Sequence, residues 1–364
     1  MNAIEKIDKI HPYPAKYTVD MVVHYIKKYS KKNDCILDPF VGSGTTLLAA
    51  RSLGVKSIGF DINPVAYQIS KLKINTYDVC DEKKMKEFIK ILEITFMDLD
   101  KCNFEKVNYD GINHWFKEEV IDALSVIRHC IVNFSSDELM KDLYYVAFSS
   151  IILTTSNQES DTRYAKKDKG SITKNDILML YIKKLKEMFT IILDSKTFGN
   201  DAKVYLKDAS LIDQTLEKNS VDLLITSPPY PNTYDYYLYH KHRIMWLGFD
   251  FKPVMASEIG SRREFSSLKK KADKFTNDLY NIFKSANFSL KNGAHIVIVI
   301  GDGKIAGEKY DSRENMLEIA KKLKWILVEE KSTQLDETSR NFQQSFRTKG
   351  KKEYFLVFKK SAVK

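Results

Sequence analysis

Cysteine is scarce and scattered. The four in this 364-residue chain (Cys35, Cys80, Cys102 and Cys130) form no C-x-x-C pair. That argues against a zinc finger or a disulfide framework and fits a reducing compartment. Long apolar runs are missing too, since none approaches the roughly 20 residues of a membrane-spanning helix. The opening MNAIEKIDKIHPYPAKY lacks the charged-then-apolar layout of a secretory leader. The expectation is an intracellular, cytoplasmic protein with no membrane partner. The histidines carry no metal or triad spacing, and the zinc deaminase pattern H-x-E with P-C-x-x-C is absent, so no metal is expected. Repeats and low-complexity tracts are absent as well.

What is present is enough apolar material for a sizeable core, 43% of residues, and a formal net charge of +10. A basic balance of that size points to a polyanionic partner, nucleic acid first. The opening third reads as alternating strands and helices. CILDPF is a short strand, VGSGTTLLAARSLG a glycine turn opening a helix, SIGFDI a second strand, and NPVAYQISKLKI a second helix with Asn63 as cap and Pro64 at its first position. That order predicts parallel strands with right-handed crossovers.

The alternation stops over residues 78–199, which read as helices broken by one polar loop, SNQESDTRYAKKDKGS. It resumes with KVYLKDAS, VDLLITSPPY, HIVIVIGDG and two final strands, WILVEEKSTQ and EYFLVFKK, with no helix between them. The expected fold is α/β: a Rossmann-like, seven-stranded, mostly parallel sheet ending in an antiparallel hairpin, plus a helical insertion. Residues 1–77 form the first part of the catalytic domain, 78–199 an inserted subdomain that contacts the partner, and 200–364 the second part.

Three acidic residues stand at strand ends. Asp38 precedes the Gly42 and Gly44 turn, Asp61 ends the second strand, and Asp208 follows KVYL. Glycines let backbone approach a ligand, a helix start offers free N–H groups, and an acid about 20 residues on can accept from ribose hydroxyls. No lysine follows the glycines, so this is not a Walker A loop. The fourth strand ends in Ser227-Pro228-Pro229-Tyr230 on the same edge. An exocyclic amine of a nucleobase is a poor nucleophile, because its lone pair is delocalised into the ring. Two fixed acceptors for its hydrogens, Ser227 Oγ and the Pro228 carbonyl, favour the pyramidal nitrogen that attacks. The prolines fix the corner at little entropic cost, and Tyr230 offers a stacking face.

DPFVGSGTT, FDINP, KDAS and TSPPY, in this order, resemble the motifs of S-adenosylmethionine-dependent DNA amino-methyltransferases. The serine version is more similar to the cytosine-N4 branch than to the adenine-N6 branch. The resemblance implies S-adenosyl-L-methionine as cofactor, held by Asp38, Pro39, Phe40, Gly42, Gly44, Thr45, Asp61, Asn63, Asp208, Ala209 and Thr226. It also implies catalysis by Ser227, Pro228, Pro229 and Tyr230. HPYPAKY resembles a lead-in that closes over the cofactor's methionine end, which adds Tyr13 and Lys16.

A base inside a duplex must be flipped out to reach such a pocket. The expected DNA contacts mix aromatic and cationic side chains: Tyr234, Tyr236, Lys241, Arg243, Arg262 and Arg263, with Arg163 in the polar loop and Arg340 and Arg347 near the end. A cytosine-C5 enzyme needs a cysteine nucleophile, which no loop here supplies. The resulting expectation is a site-specific cytosine-N4 DNA methyltransferase with DNA and a cognate restriction endonuclease as partners. The competing expectations are an adenine-N6 enzyme and an inactive DNA-binding protein of the same fold.

Overall fold

The computed structural model describes residues 2–98, 103–135, 137–161, 163–199, 201–334 and 351–362. Cys102, Arg340 and Arg347 lie outside them. Seven strands form the main sheet: β1 (Cys35–Asp38), β2 (Lys56–Asp61), β5 (Ala202–Leu206), β6 (Val221–Thr226), β7 (Leu290–Gly301), β10 (Trp325–Gln334) and β11 (Lys352–Lys360). Two small hairpins supply β3 (Gln158–Ser160) with β4 (Arg163–Lys166), and β8 (Gly303–Ile305) with β9 (Glu308–Tyr310). The sheet order is β10-β11-β7-β6-β1-β2-β5. Neighbours from β7 to β5 are parallel, and β11 alone runs against both of its neighbours. The chain first winds outward from β1 to β2 and β5, then returns to lay β6 on the other side of β1. A crevice opens beyond the carboxyl ends of strands at such a reversal.

The strands read as near-continuous apolar runs because both faces of the sheet are covered. Alternate residues part to opposite sides. Ile36, Leu223, Ile225 and Val297 pack with α2 (Val19–Tyr29) and α3 (Thr45–Ser52). Leu37, Leu224, Ile296 and Ile298 pack with α12 (Ala272–Ser289) and α13 (Ser312–Lys322). A short α1 (Ala3–Asp8) precedes this layer.

Between α4 (Pro64–Ile74) and β5 the chain is mainly helical, with α5 (Asp81–Met97), α6 (Ile112–Trp115), α7 (Glu118–Phe134), α8 (Glu138–Thr155) and α9 (Lys174–Leu193). The polar loop read from the sequence contains the β3–β4 hairpin instead. Its strands lack apolar alternation, and Gln158, fully buried, anchors it. These helices share one hydrophobic cluster with Val65, Ile69 and Leu72 of α4 and with Ile244 and Trp246 of α10 (Tyr236–Trp246). Buried Arg51 ties both ends of the segment to α3, donating to the carbonyls of Lys73 and Gly199 and to the hydroxyls of Thr76 and Ser195. Among the described residues, no helix is long and apolar enough to cross a membrane.

His242 on α10 is enclosed by this helical layer. Its Nδ1 lies 2.9 Å from the Tyr109 hydroxyl, and Tyr164, Trp115 and Phe116 surround the ring. Burial, then Lys241 and Arg243, push its pKa down to about 3. A folded value below the unfolded one means that the stabilisation is whole above about pH 6.5 and is lost as pH falls toward the folded value. By pH 5 the loss is about 2 kcal/mol. In urea titrations, the stability difference between wild type and His242→Gln should shrink by that amount from pH 7 to pH 5. A difference that does not change with pH contradicts this.

Candidate active site at the carboxyl edge of the sheet

The cleft lies where the reversal of strand order puts it. Its walls come from Tyr13 and Ala15 of the N-terminal segment, Pro39, Phe40 and Gly42 after β1, and Asp61 at the end of β2 with Ile62 and Asn63 beyond it. Lys207, Asp208 and Ala209 follow β5, Ser227 and Pro229 follow β6, and Tyr236 opens α10. Val254 and Ser257 of α11 (Phe251–Ser257), with Glu258, Ile259 and Ile282, close the remaining side. Counted out to its open mouth the space is about 800 Å³, within the size range of cofactor sites.

Gly42 shapes one wall. Its φ is +49°, and its N–H donates to Asp61 Oδ2 at 2.9 Å. A Cβ there would meet the Tyr13 ring at 3.4 Å. Asp61 Oδ1 accepts from Asn63 N–H at 2.8 Å, and burial pushes the carboxyl up to about 6. Asn63 caps α4 through Oδ1, which leaves its buried Nδ2 without a partner among the described residues. Asp208 accepts from Ser210 N–H at 2.8 Å at the start of a 3-10 turn.

Glu258 carries no sequence signal. It accepts from the N–H groups of Tyr236 and Tyr237 at 2.8 and 2.7 Å, so its carboxyl caps the N-terminus of α10. Burial pushes it up to about 8, with Asp235 and Asp61 adding to the rise. The cleft therefore gathers acidic groups that are poorly solvated and suited to a ligand bearing donors or positive charge.

Other sequence candidates stand behind the wall. Asp38 is fully buried and does not line the cleft. Its carboxylate accepts from Thr226 Oγ1 at 2.7 Å, Phe40 N–H at 3.0 Å, Tyr17 OH at 2.9 Å and Thr46 Oγ1 at 2.5 Å. It joins the ends of β1 and β6 to α3 and the N-terminal segment. Thr226 is occupied by that bond. Thr45 Oγ1 and Lys16 Nζ both bond Asp8, at 2.8 and 2.6 Å, and Asp8 also pairs with buried Lys73. Gly44 (φ +82°) is needed for packing, because a Cβ would come 3.0 Å from Ser70 Cα. Pro228 is buried, and Tyr230 turns away from the lining residues toward β7 and β11.

The candidates beyond the corner separate in the same way. Tyr236 reaches the cleft, whereas Tyr234 is buried, 6% exposed. Arg243 is 1% exposed, bonded to the Ser149 carbonyl and paired with Asp161 at 2.5 Å, which leaves it inside the molecule. Lys241 Nζ sits 4.6 Å over the Phe251 ring. Arg262 Nε donates to the Thr233 carbonyl, and the backbone N–H of Arg263 donates to Asp235. Arg163 is exposed on the β3–β4 hairpin, paired with Glu159 at 3.0 Å. Lys269, Lys270 and Lys271 are exposed.

The chain is similar to several known proteins. The chain is 27% identical over 249 residues to the Type II methyltransferase M.MvaI of Kocuria varians, covering 63% of this chain and 54% of that protein. It is 27% identical over 272 residues to M.BsoBI of Geobacillus stearothermophilus, covering 66% and 53%. The chain thus spans about half the length of these curated relatives. A solved SAM-dependent methyltransferase of Methanosarcina mazei aligns with 93% of this chain and 98% of its own at 11% identity, with a TM-score of 0.38. The model of the N6/N4 methyltransferases, described as DNA methylase, matches residues 2–72 and 221–364. That is more than half of the chain, and it takes in β1, β2, β6 and the strands after them but not the helical segment. With its glycine turn, the strand-end acids Asp38 and Asp61 and the Ser-Pro-Pro-Tyr corner inside the matched residues, the chain belongs to the N6/N4 DNA methylase family.

Proposed function

We propose that the chain transfers a methyl group from S-adenosylmethionine to the exocyclic N4 of a cytosine flipped out of DNA. The observation behind this reading is that Ser227 and Pro229 share one cleft with Asp61, Asn63 and Asp208. The residues fit the cofactor: Asn63 Nδ2 is a buried donor without a partner among the described residues, and acidic groups surround it. S-adenosylmethionine supplies an electrophilic methyl group on a sulfonium. Its positive charge suits Asp61 and Glu258, whose ionised forms burial disfavours.

Asp61 is placed to accept from ribose hydroxyls, and Asp208 from an adenine amino group. Ser227 Oγ and the Pro228 carbonyl accept the two hydrogens of the target amine, so its lone pair turns toward the methyl group as the nitrogen pyramidalises. The serine at position 227 is the feature that favours cytosine. Exposed Arg163 and Lys269 to Lys271 are the proposed phosphate contacts, and buried Arg243 is left out of that set. The test is transfer of tritium from methyl-labelled S-adenosylmethionine to long unmethylated duplex DNA. Label is expected in DNA and not in an equal mass of RNA. Label in RNA alone contradicts the proposal.

A further inference from the structure

Tyr13 lines the cleft from an arm that is stiff and pinned at both ends. The arm, His11-Pro12-Tyr13-Pro14, holds two prolines. Each fixes its own φ angle and biases the residue before it, His11 or Tyr13, to extended backbone. Just past the arm, Lys16 pairs with Asp8 at 2.6 Å and the Tyr17 hydroxyl donates to Asp38 at 2.9 Å. These bonds tie that end to α1 and β1.

The other end is tied to the helical layer. His11 is buried; burial, and next Arg243, push its pKa well below the ordinary value, so the ring is neutral. Its Nδ1 lies 2.8 Å from the Pro12 carbonyl, which only accepts, so Nδ1 carries the proton. Nε2 then accepts from the Ser149 hydroxyl of α8 at 3.1 Å. Between the two ends, the Tyr13 ring stacks on His240 of α10, with centroids 5.0 Å apart and planes at 21°. Arg243, one turn further along α10, lies 3.5 Å from His240 Nδ1 and donates through Nε to the Ser149 carbonyl at 3.0 Å. Both supports of Tyr13 therefore meet at Ser149. Its hydroxyl holds the arm, and its carbonyl holds Arg243 beside the stacking partner.

We propose that Ser149 is a positioning residue for the cofactor, holding the Tyr13 ring against the cleft through its bond to His11. This rests on the function proposed above, which places S-adenosylmethionine in that cleft. Ser149 itself does not line the cleft, so its influence on the cofactor passes through the arm. Without the bond the arm keeps its stiffness but loses its anchor. Cofactor binding then has to order it, at a cost in affinity.

The experiment compares wild type with Ser149→Ala, His11→Ala, His11→Gln, Tyr13→Ala and the Ser149→Ala/Tyr13→Ala double variant. It measures S-adenosylmethionine affinity by calorimetry, cofactor KM and kcat for methyl transfer to duplex DNA, and Tm. Ser149→Ala and His11→Ala should each raise the cofactor Kd and KM about 10-fold, with kcat at saturating cofactor within about 2-fold of wild type. His11→Gln, whose amide oxygen can still accept from Ser149, should bind the cofactor nearly as tightly as wild type. In the Tyr13→Ala background, Ser149→Ala should cost nothing more, because its effect runs through that ring. His11→Ala breaks the same bond from the arm and carries the test if Ser149→Ala does not fold. Wild-type Kd in these variants, whatever their Tm, overturns the inference and leaves the proposed function standing. So does a double variant whose loss is the product of the single losses. A wild type that binds no S-adenosylmethionine overturns both.

Discussion

Ser227→Ala is expected to cut methyl transfer to DNA by about 100-fold or more while S-adenosylmethionine binds with wild-type affinity. The side chain removed is small and sits at the end of β6, beside the cleft. Cavity and packing costs are therefore minor. What is lost is an oriented acceptor for one amine hydrogen, and such groups act most strongly where charge develops in the transition state. The cofactor contacts assigned to Asp61, Asn63 and Asp208 are left in place, which separates binding from turnover. Single-turnover transfer with titrated cofactor checks both halves. A Ser227→Ala protein that transfers methyl at near the wild-type rate removes the serine from the chemistry.

The second large effect lies in stability. Asp38→Ala should destabilise the fold by about 3 kcal/mol or more, because it strands several buried donors at once. The hydroxyls of Tyr17, Thr46 and Thr226 and the N–H of Phe40 all end on this one carboxylate. These donors come from four parts of the chain, so the loss also loosens the wall that carries Pro39, Phe40 and Gly42. Asp38→Asn should cost less, since its amide oxygen still accepts and the hydroxyls can turn to accept from its NH2 group. Urea unfolding of both variants measures the difference. A loss below about 1 kcal/mol in Asp38→Ala contradicts the role of this carboxylate as the joint.

The sheet was legible because its signals are local. Apolar runs in CILD, VDLLIT and HIVIVI, punctuated by glycine, proline and acid, announce buried parallel strands and their carboxyl ends. The site was legible only as a set of motifs. Within DPFVGSGTT, the sequence cannot tell Pro39, Phe40 and Gly42, which line the cleft, from Asp38, Gly44 and Thr45, which hold the wall from behind. That division depends on how β1, β6 and α3 meet. Glu258 escaped notice because its place comes from a tertiary approach to the start of α10. The tyrosine and histidine run misled in the other direction. Aromatics among cations read as a nucleic-acid surface, but Tyr234 is buried just before α10, and Tyr237, Tyr239, His242 and Arg243 are buried on that helix, which the helical layer covers. The β3–β4 hairpin lacked apolar alternation, so nothing in its pattern marked strands.

The central claim is that the corner holds the amine of cytosine. The most direct measurement is nucleoside mass spectrometry of unmethylated duplex DNA after incubation with the protein and S-adenosylmethionine. N4-methylcytosine is expected as the new nucleoside, and it should be absent when Ser227→Ala replaces the wild type. N6-methyladenine without N4-methylcytosine, or no new methylated nucleoside at all, contradicts the claim.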